Sequence, residues 1–161
     1  MHRVRQFVAH VGARVSADET ARAHRILPPS AAGLFDGMPV ADRRHALDVV
    51  ERLIAGGNDD PDLLTAALLH DAAKGHRMRL WHRVTGVLLE AFAPSTLARL
   101  ASADPGSWRH PFHLYLHHAE LSAELARRAG CSERAAAFIA GTPSAGDVRL
   151  GRALQAADDA S

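Results

Sequence analysis

A chain of 161 residues with a formal net charge of +1, 47% apolar and 23% charged residues, is long enough for one domain with a sizeable core. This composition excludes a disordered, collagen-like or strongly charged chain. The single cysteine, Cys131, excludes an internal disulfide framework and fits a reducing compartment.

Alanine, leucine and arginine dominate, and no segment alternates with period two, so the expected class is all-α. Arg3 to Val15 reads as a first helix, with Arg3, Arg5, His10 and Arg14 breaking any signal-type apolar core. Ser16-Ala-Asp-Glu19 is a capping box that opens a second helix, stopped by Pro28-Pro29. Ser30 to Pro39, with Gly33, Gly37 and Pro39, reads as a loop holding at most one helical turn. A strong helix follows from Ala41 to Ala55, ended by Gly56-Gly57. Asp60 with Pro61 starts the next, expected to run to about Lys74 and Gly75. Leu80–Phe92 and Ser95–Ser102 are separated near Pro94, and Asp104-Pro105-Gly106 is a turn. Phe112 to Ala129 is a long helix closed by Gly130, Ser132 caps Glu133–Ala140, Gly141–Gly146 is a loop, and Asp147–Asp159 is the last helix. The one plausible boundary, Pro28–Pro39, divides an N-terminal helical extension, 1–39, from a helical core domain, 40–161.

The longest apolar run, around Val84–Leu100, is interrupted by Glu90 and Arg99 and is too short to span a bilayer. Balanced charge gives no general attraction to nucleic acid or membrane. The expected localisation is cytoplasmic.

Eleven histidines are many for this length, and histidine is both the commonest metal ligand and the usual general base near neutral pH. His70-Asp71 lies near the end of the amphipathic segment DPDLLTAALLHDAAKG. An imidazole beside a carboxylate suits Zn, Mn, Fe or Co. Lys74, the only lysine in a chain that otherwise uses arginine, lies three residues beyond Asp71 and four beyond His70 and shares their face. His45 lies early in the preceding helix and His70 late in its own. If the two helices are antiparallel, both fall at one end of the pair, where a shared ion would sit. The last helix supplies another carboxylate, Asp158 or Asp159. Taken alone, His70 would be an ordinary histidine at a helix C-terminus with an exposed aspartate beside it; the matched spacing of the others favours a metal site.

His45, His70-Asp71 within HDAAKG, and an aspartate in an Ala-Asp context together resemble the HD superfamily of metal-dependent phosphohydrolases, over roughly Ala41 to Asp159. The resemblance implies an all-α HD-domain helical bundle preceded by an N-terminal helical pair. It also implies a divalent metal ion (Mn, Mg, Fe, Co or Zn) held by His45, His70, Asp71 and Asp158, the last chosen because Ala157 precedes it. In two-metal members an extra histidine opens a helix of the type seen in His118-Ala-Glu-Leu-Ser-Ala-Glu-Leu, but Ala140-Gly141-Thr142-Pro143 stands where a His-His pair usually follows. This departs from the pattern of the dinuclear members.

The expected activity is hydrolysis of a small phosphoester, a nucleotide for example. Asp71 orients water, Lys74 neutralises phosphoryl charge and His118 protonates the leaving oxygen. Arg77 and Arg79, with His76, His82, Arg83 and Trp81, form a basic stretch that reads either as a substrate-attracting rim or as a solvated helix start. His110 and His113 flank Pro111-Phe112 and read as pocket-lining or surface residues. Trp81, Trp108 and Phe112 read as core, and Cys131 at a helix start as a site where a thiolate is favoured. Two other readings compete: an HD-scaffold interaction or regulatory module with weak or no turnover, and an iron-dependent HD oxygenase. The N-terminal helical pair offers a face for homo-oligomer formation.

Overall fold

The computed structural model describes residues 14–76, 78 and 80–161, apart from the side chains of Leu80 and Arg83. Among the described residues all regular structure is helical. In chain order the helices are α1 (Ala17–Ile26), α2 (Ala32–Asp36, preceded by a 3-10 turn at Pro29–Ala31), α3 (Val40–Ala55), α4 (Pro61–Leu69), α5 (Leu80–Phe92), α6 (Pro94–Leu100), α7 (His110–Arg128), α8 (Glu133–Ile139) and α9 (Val148–Ala160, preceded by a 3-10 turn at Ala145–Asp147).

Local chemistry sets most of these ends. The Ser16 hydroxyl accepts from Glu19 N at 3.2 Å while the Glu19 carboxylate accepts from Ser16 N at 2.8 Å, a reciprocal capping box. Asp60 accepts from the amides of Asp62 and Leu63, both at 3.1 Å, and Ser132 accepts from Ala135 N at 3.0 Å. α3 and α7 end in Schellman turns around Gly57 (φ 76°) and Gly130 (φ 80°). There Asn58 N donates to Leu53 O at 2.8 Å and Cys131 N to Ala126 O at 3.0 Å. A side chain at either glycine would be strained.

Several boundaries differ from the sequence expectation. The segment 29–36 is helical rather than a loop, because Ala31 and Phe35 bury themselves in the core. α7 starts at His110, with Pro111 in its first turn. α4 stops at Leu69 rather than near Lys74, and 71–76 form turns. Arg14 and Val15 are not helical, and the rest of the expected first helix lies outside the described residues.

α4 is the central element. Every residue from Leu63 to Leu69 is buried, which a helix achieves only when neighbours cover all its sides. α3, α8, α9, α7, α1 and α2 all pack on it. Ala23, Leu27, Ala31, Phe35 and Met38 from the N-terminal segment join one core with residues of α3, α4, α8 and α9. α5 and α6 pack outside this core against α7. Phe112 is buried as expected, but Trp81 and Trp108 are half or more exposed. His82 is not part of a basic rim: it is buried, stacked on Trp81 at 3.6 Å and edge-on to Phe112 at 5.6 Å between ring centroids. Cys131 is also buried, and burial followed by the Asp62 charge pushes its thiol pKa up, the opposite of an activated thiolate.

Candidate metal centre

α4 and α9 lie side by side in parallel. Their N-terminal ends meet at Arg134, which pairs with Asp60 and Asp147, each at 2.8 Å. Their C-terminal ends meet where His70 Nε2 lies 3.4 Å from Asp158 Oδ1. α3 runs antiparallel to both, so His45 near its start reaches the same corner, with Nε2 2.8 Å from Asp158 Oδ1. One ligand-type atom each from His45, His70 and Asp158 fall within 4.8 Å of one another. Of the two candidate aspartates the fold selects Asp158; Asp159 is exposed and accepts from Gln155 Nε2 at 3.0 Å.

The early end of α4 explains how neighbouring residues serve one site. Side chains at successive positions of an α-helix diverge by about 100°. Here the chain tightens after Leu69, with Ala72 N donating to Leu69 O and Lys74 N to Asp71 O, both at 3.0 Å. The turn is fixed from outside: the buried Ser122 hydroxyl on α7 accepts from Ala73 N at 3.0 Å. Nothing in the sequence reading pointed to Ser122, since a small polar residue inside an apolar helix gives no local signal of what it will meet.

Each donor atom is aimed by a second contact. His70 Nδ1 donates to Ala67 O at 2.9 Å; a carbonyl only accepts, so Nδ1 carries a proton and Nε2 faces the site. His118 is held the same way, Nδ1 donating to Tyr115 O at 2.9 Å, with Nε2 3.9 Å from Asp71 Oδ1. Asp71 is 2% exposed, and its Oδ1 lies 3.7 Å from His70 Nε2. Lys74 Nζ donates to Asp71 Oδ2 at 2.7 Å and lies 2.6 Å from Oδ1, yet Oδ1 makes no hydrogen bond. Among the described buried side chains three polar atoms lack a hydrogen-bond partner, and two of them, His70 Nε2 and Asp71 Oδ1, are at this corner. Their partners are ionic: Asp158 Oδ1 lies 3.4 Å from His70 Nε2, and Lys74 Nζ 2.6 Å from Asp71 Oδ1.

The electrostatics are those of a mixed cluster closed on itself. Burial opposes the His70 cation, but the Asp71 and Asp158 carboxylates outweigh it and raise its pKa to about 9. Burial likewise opposes the Asp71 and Asp158 anions. The Lys74 and His70 charges hold Asp71 well below the usual carboxylate range, and the neighbouring His45 and His70 do the same for Asp158. Burial and Lys74 push the His118 pKa down. A cavity of about 340 Å³ opens onto His70, His118 and Asp158, and Arg152, Gln155 and Phe138 line its other side.

The fold therefore assembles His45, His70 and Asp158, and sets Asp71, Lys74 and His118 beside them. Arg77 and Arg79 lie outside the described residues. Arg152 and Gln155, absent from the sequence reading, stand at the cavity because α9 turns that face toward α8. No protein-family model, curated protein or solved structure matches this chain.

Proposed function

We propose that this corner holds one divalent cation and that the protein is a metal-dependent phosphohydrolase of HD type, acting on a small phosphoester. The observation that carries the reading is the close trio of His45, His70 and Asp158, one ligand-type atom from each lying within 4.8 Å of the others. Imidazole and carboxylate donors fit Mn, Fe, Co or Zn. His45, His70 and Asp158 would hold the ion, with Asp71 as the fourth ligand on the His70 side.

When bound, a divalent ion held by these residues would supply a water of lowered pKa and would polarise the phosphoryl oxygen. The residues of the chain do the rest. Asp71 accepts a proton or orients water once Lys74 moves off its carboxylate. Lys74 is held on the Asp71 carboxylate, one lone ammonium that is ready to move to a phosphoryl oxygen and offset the charge that develops there. His118 faces the same side from α7, and with its pKa pushed down and Nδ1 donating to Tyr115 O, its Nε2 accepts a proton there rather than protonating the leaving oxygen. The cavity beyond them, with Arg152 and Gln155 on its wall, accommodates the rest of the substrate.

Metal content of protein purified without a metal-affinity step, followed by phosphate release from a panel of mono- and diesters with Mn added, tests the reading. About one ion per chain and turnover lost in Asp71→Ala support it. A chain that takes up no Mn, Fe, Co or Zn and releases no phosphate sinks it. The second reading, an interaction module on the same scaffold, then takes over. It is favoured by the outward stripe Trp81, Val84, Leu88 and Phe92 on α5, each at least half exposed.

A further inference from the structure

α7 carries histidines on two faces. His118 looks inward to the corner described above, whereas His110, His113 and His117 recur at i, i+3 and i+7 and share another face of the helix. The His113 and His117 rings are 4.6 Å apart between centroids, closer than the 5.3 Å between the inward pair His45 and His70. The His110 ring stacks on His113 at 5.7 Å and 27°. His117 is exposed and the other two are half-buried. His110 Nδ1 donates to Ser102 O at 3.1 Å, which leaves its Nε2 as the nitrogen open to a ligand. Among the described residues neither His113 nor His117 makes a hydrogen bond or an ion pair, so nothing on the protein competes for their ring nitrogens.

Two imidazoles four residues apart on a helix face the same way and form a chelate, the spacing that helical zinc sites use. Three stacked imidazoles without a carboxylate are otherwise an unfavourable grouping, because any proton taken up by one repels the next. An all-nitrogen set of this kind prefers Cu, Ni or Zn and offers little to Mn or Mg, which favour oxygen donors.

The geometry points to a second, solvent-facing metal site on α7: His113 and His117 chelate a borderline divalent transition-metal ion through their ring nitrogens, with His110 beside them but outside the ligand range of the pair. The site does not depend on the buried corner, from which it differs in donor chemistry and exposure. Ni outbinds Mn at mixed nitrogen–oxygen sites as well, so the two separate by variant: the Ni held by the α7 histidines is the one lost in His113→Ala/His117→Ala.

The test is a calorimetric titration of the full chain with NiCl2 after saturation with MnCl2, on the wild type and on His113→Ala/His117→Ala. Both positions are on the surface, so unchanged far-UV circular dichroism is expected. The wild type should bind one Ni more than the double variant, with a dissociation constant in the micromolar range. His113→Ala alone should weaken that site at least tenfold, and His110→Ala by less. Electron paramagnetic resonance of a Cu(II)-loaded sample should show imidazole nitrogens that disappear in the double variant. Equal Ni stoichiometry and affinity in wild type and double variant would overturn the proposal, as would uptake only at millimolar Ni. Loss of Mn binding with retained Ni binding would count against the phosphohydrolase reading and leave this one standing.

Discussion

The two ends of the α4–α9 pair draw on the same kinds of side chain and reach opposite outcomes. At the N-terminal end Arg134 gathers Asp60, Asp62 and Asp147, with Nη1–Oδ distances of 2.8 Å to Asp60 and 3.2 Å to Asp62, and Nη2 2.8 Å from Asp147. Those carboxylates stand where helix dipoles favour negative charge, and Arg134 also lies 5.1 Å from the centre of the Phe138 ring. Every partner there is satisfied. At the C-terminal end Asp71 and Asp158 stand where the dipoles disfavour them. Asp71 is buried more deeply than any acid of the Arg134 clamp, and the two carboxylates are met by histidines, and Asp71 by the one ammonium of Lys74, rather than by a guanidinium. The Arg134 end gathers carboxylates on one guanidinium; the His70 end groups imidazoles and a carboxylate within ligand range of one another. The difference between the two ends separates scaffold from chemistry more clearly than residue type does.

The comparison breaks most readily at His70. His70→Ala removes the one nitrogen common to the trio and to Asp71, and metal affinity should fall at least 100-fold while helix content is kept. Equilibrium dialysis with Mn checks this, and unchanged affinity would put the metal site elsewhere.

The pH dependence follows from the sign of the His70 shift. Its folded pKa of about 9 lies above the unfolded value of 6.5, so without metal its charge stabilises the fold fully below pH 6.5. That contribution is lost as pH rises to about 9. A metal ion needs the deprotonated nitrogen, so Mn should raise the melting temperature little at pH 6 and progressively more toward pH 9. Thermal unfolding with and without Mn across that range checks it; a gap that narrows with pH contradicts the assignment.

Arg134→Ala should do the reverse of His70→Ala. Melting temperature should drop by roughly 2–4 °C, the shift that about 1 kcal/mol makes in a chain this long, kept small because Arg134 is partly exposed. Metal affinity should stay within about twofold. A large loss of metal binding would mean that the clamp sets the register of α9 at its far end.

The smallest expected effect is at α1. Glu19→Ala breaks the capping box and the Glu19–Arg44 ion pair and should cost about 1 kcal/mol in urea unfolding. The Ser16 backbone bond, followed by Arg44, holds the Glu19 pKa at about 2, against 4.5 when unfolded. The difference between wild type and variant should therefore be full above pH 4.5 and shrink as pH falls to about 2.

Most helix positions were legible because local chemistry sets them: the Ser16–Glu19 box, the Asp60 and Ser132 caps, and the Gly57 and Gly130 stops act within a few residues of chain. His45, His70 and Asp158 were legible for a different reason, a spacing matched across three helices, and the tertiary structure brings those three together. Where the expectation failed, a distant partner decided. α4 ends at Leu69 because the following turn is stapled by Ser122, 49 residues beyond Ala73 in sequence. His82 is buried because Trp81 and Phe112 enclose it, and Arg152 reaches the cavity because of the way α9 lies along α8.

By itself the sequence determined an all-helical chain, its caps and the residue types of one candidate centre, since these depend on short-range hydrogen bonding and on helical periodicity. The folded packing set which atoms of that centre meet, turned Asp158 rather than Asp159 to the histidines, and aligned the C-terminal ends of α4 and α9. Burial and through-space charge depend on residues that the chain brings together only when folded.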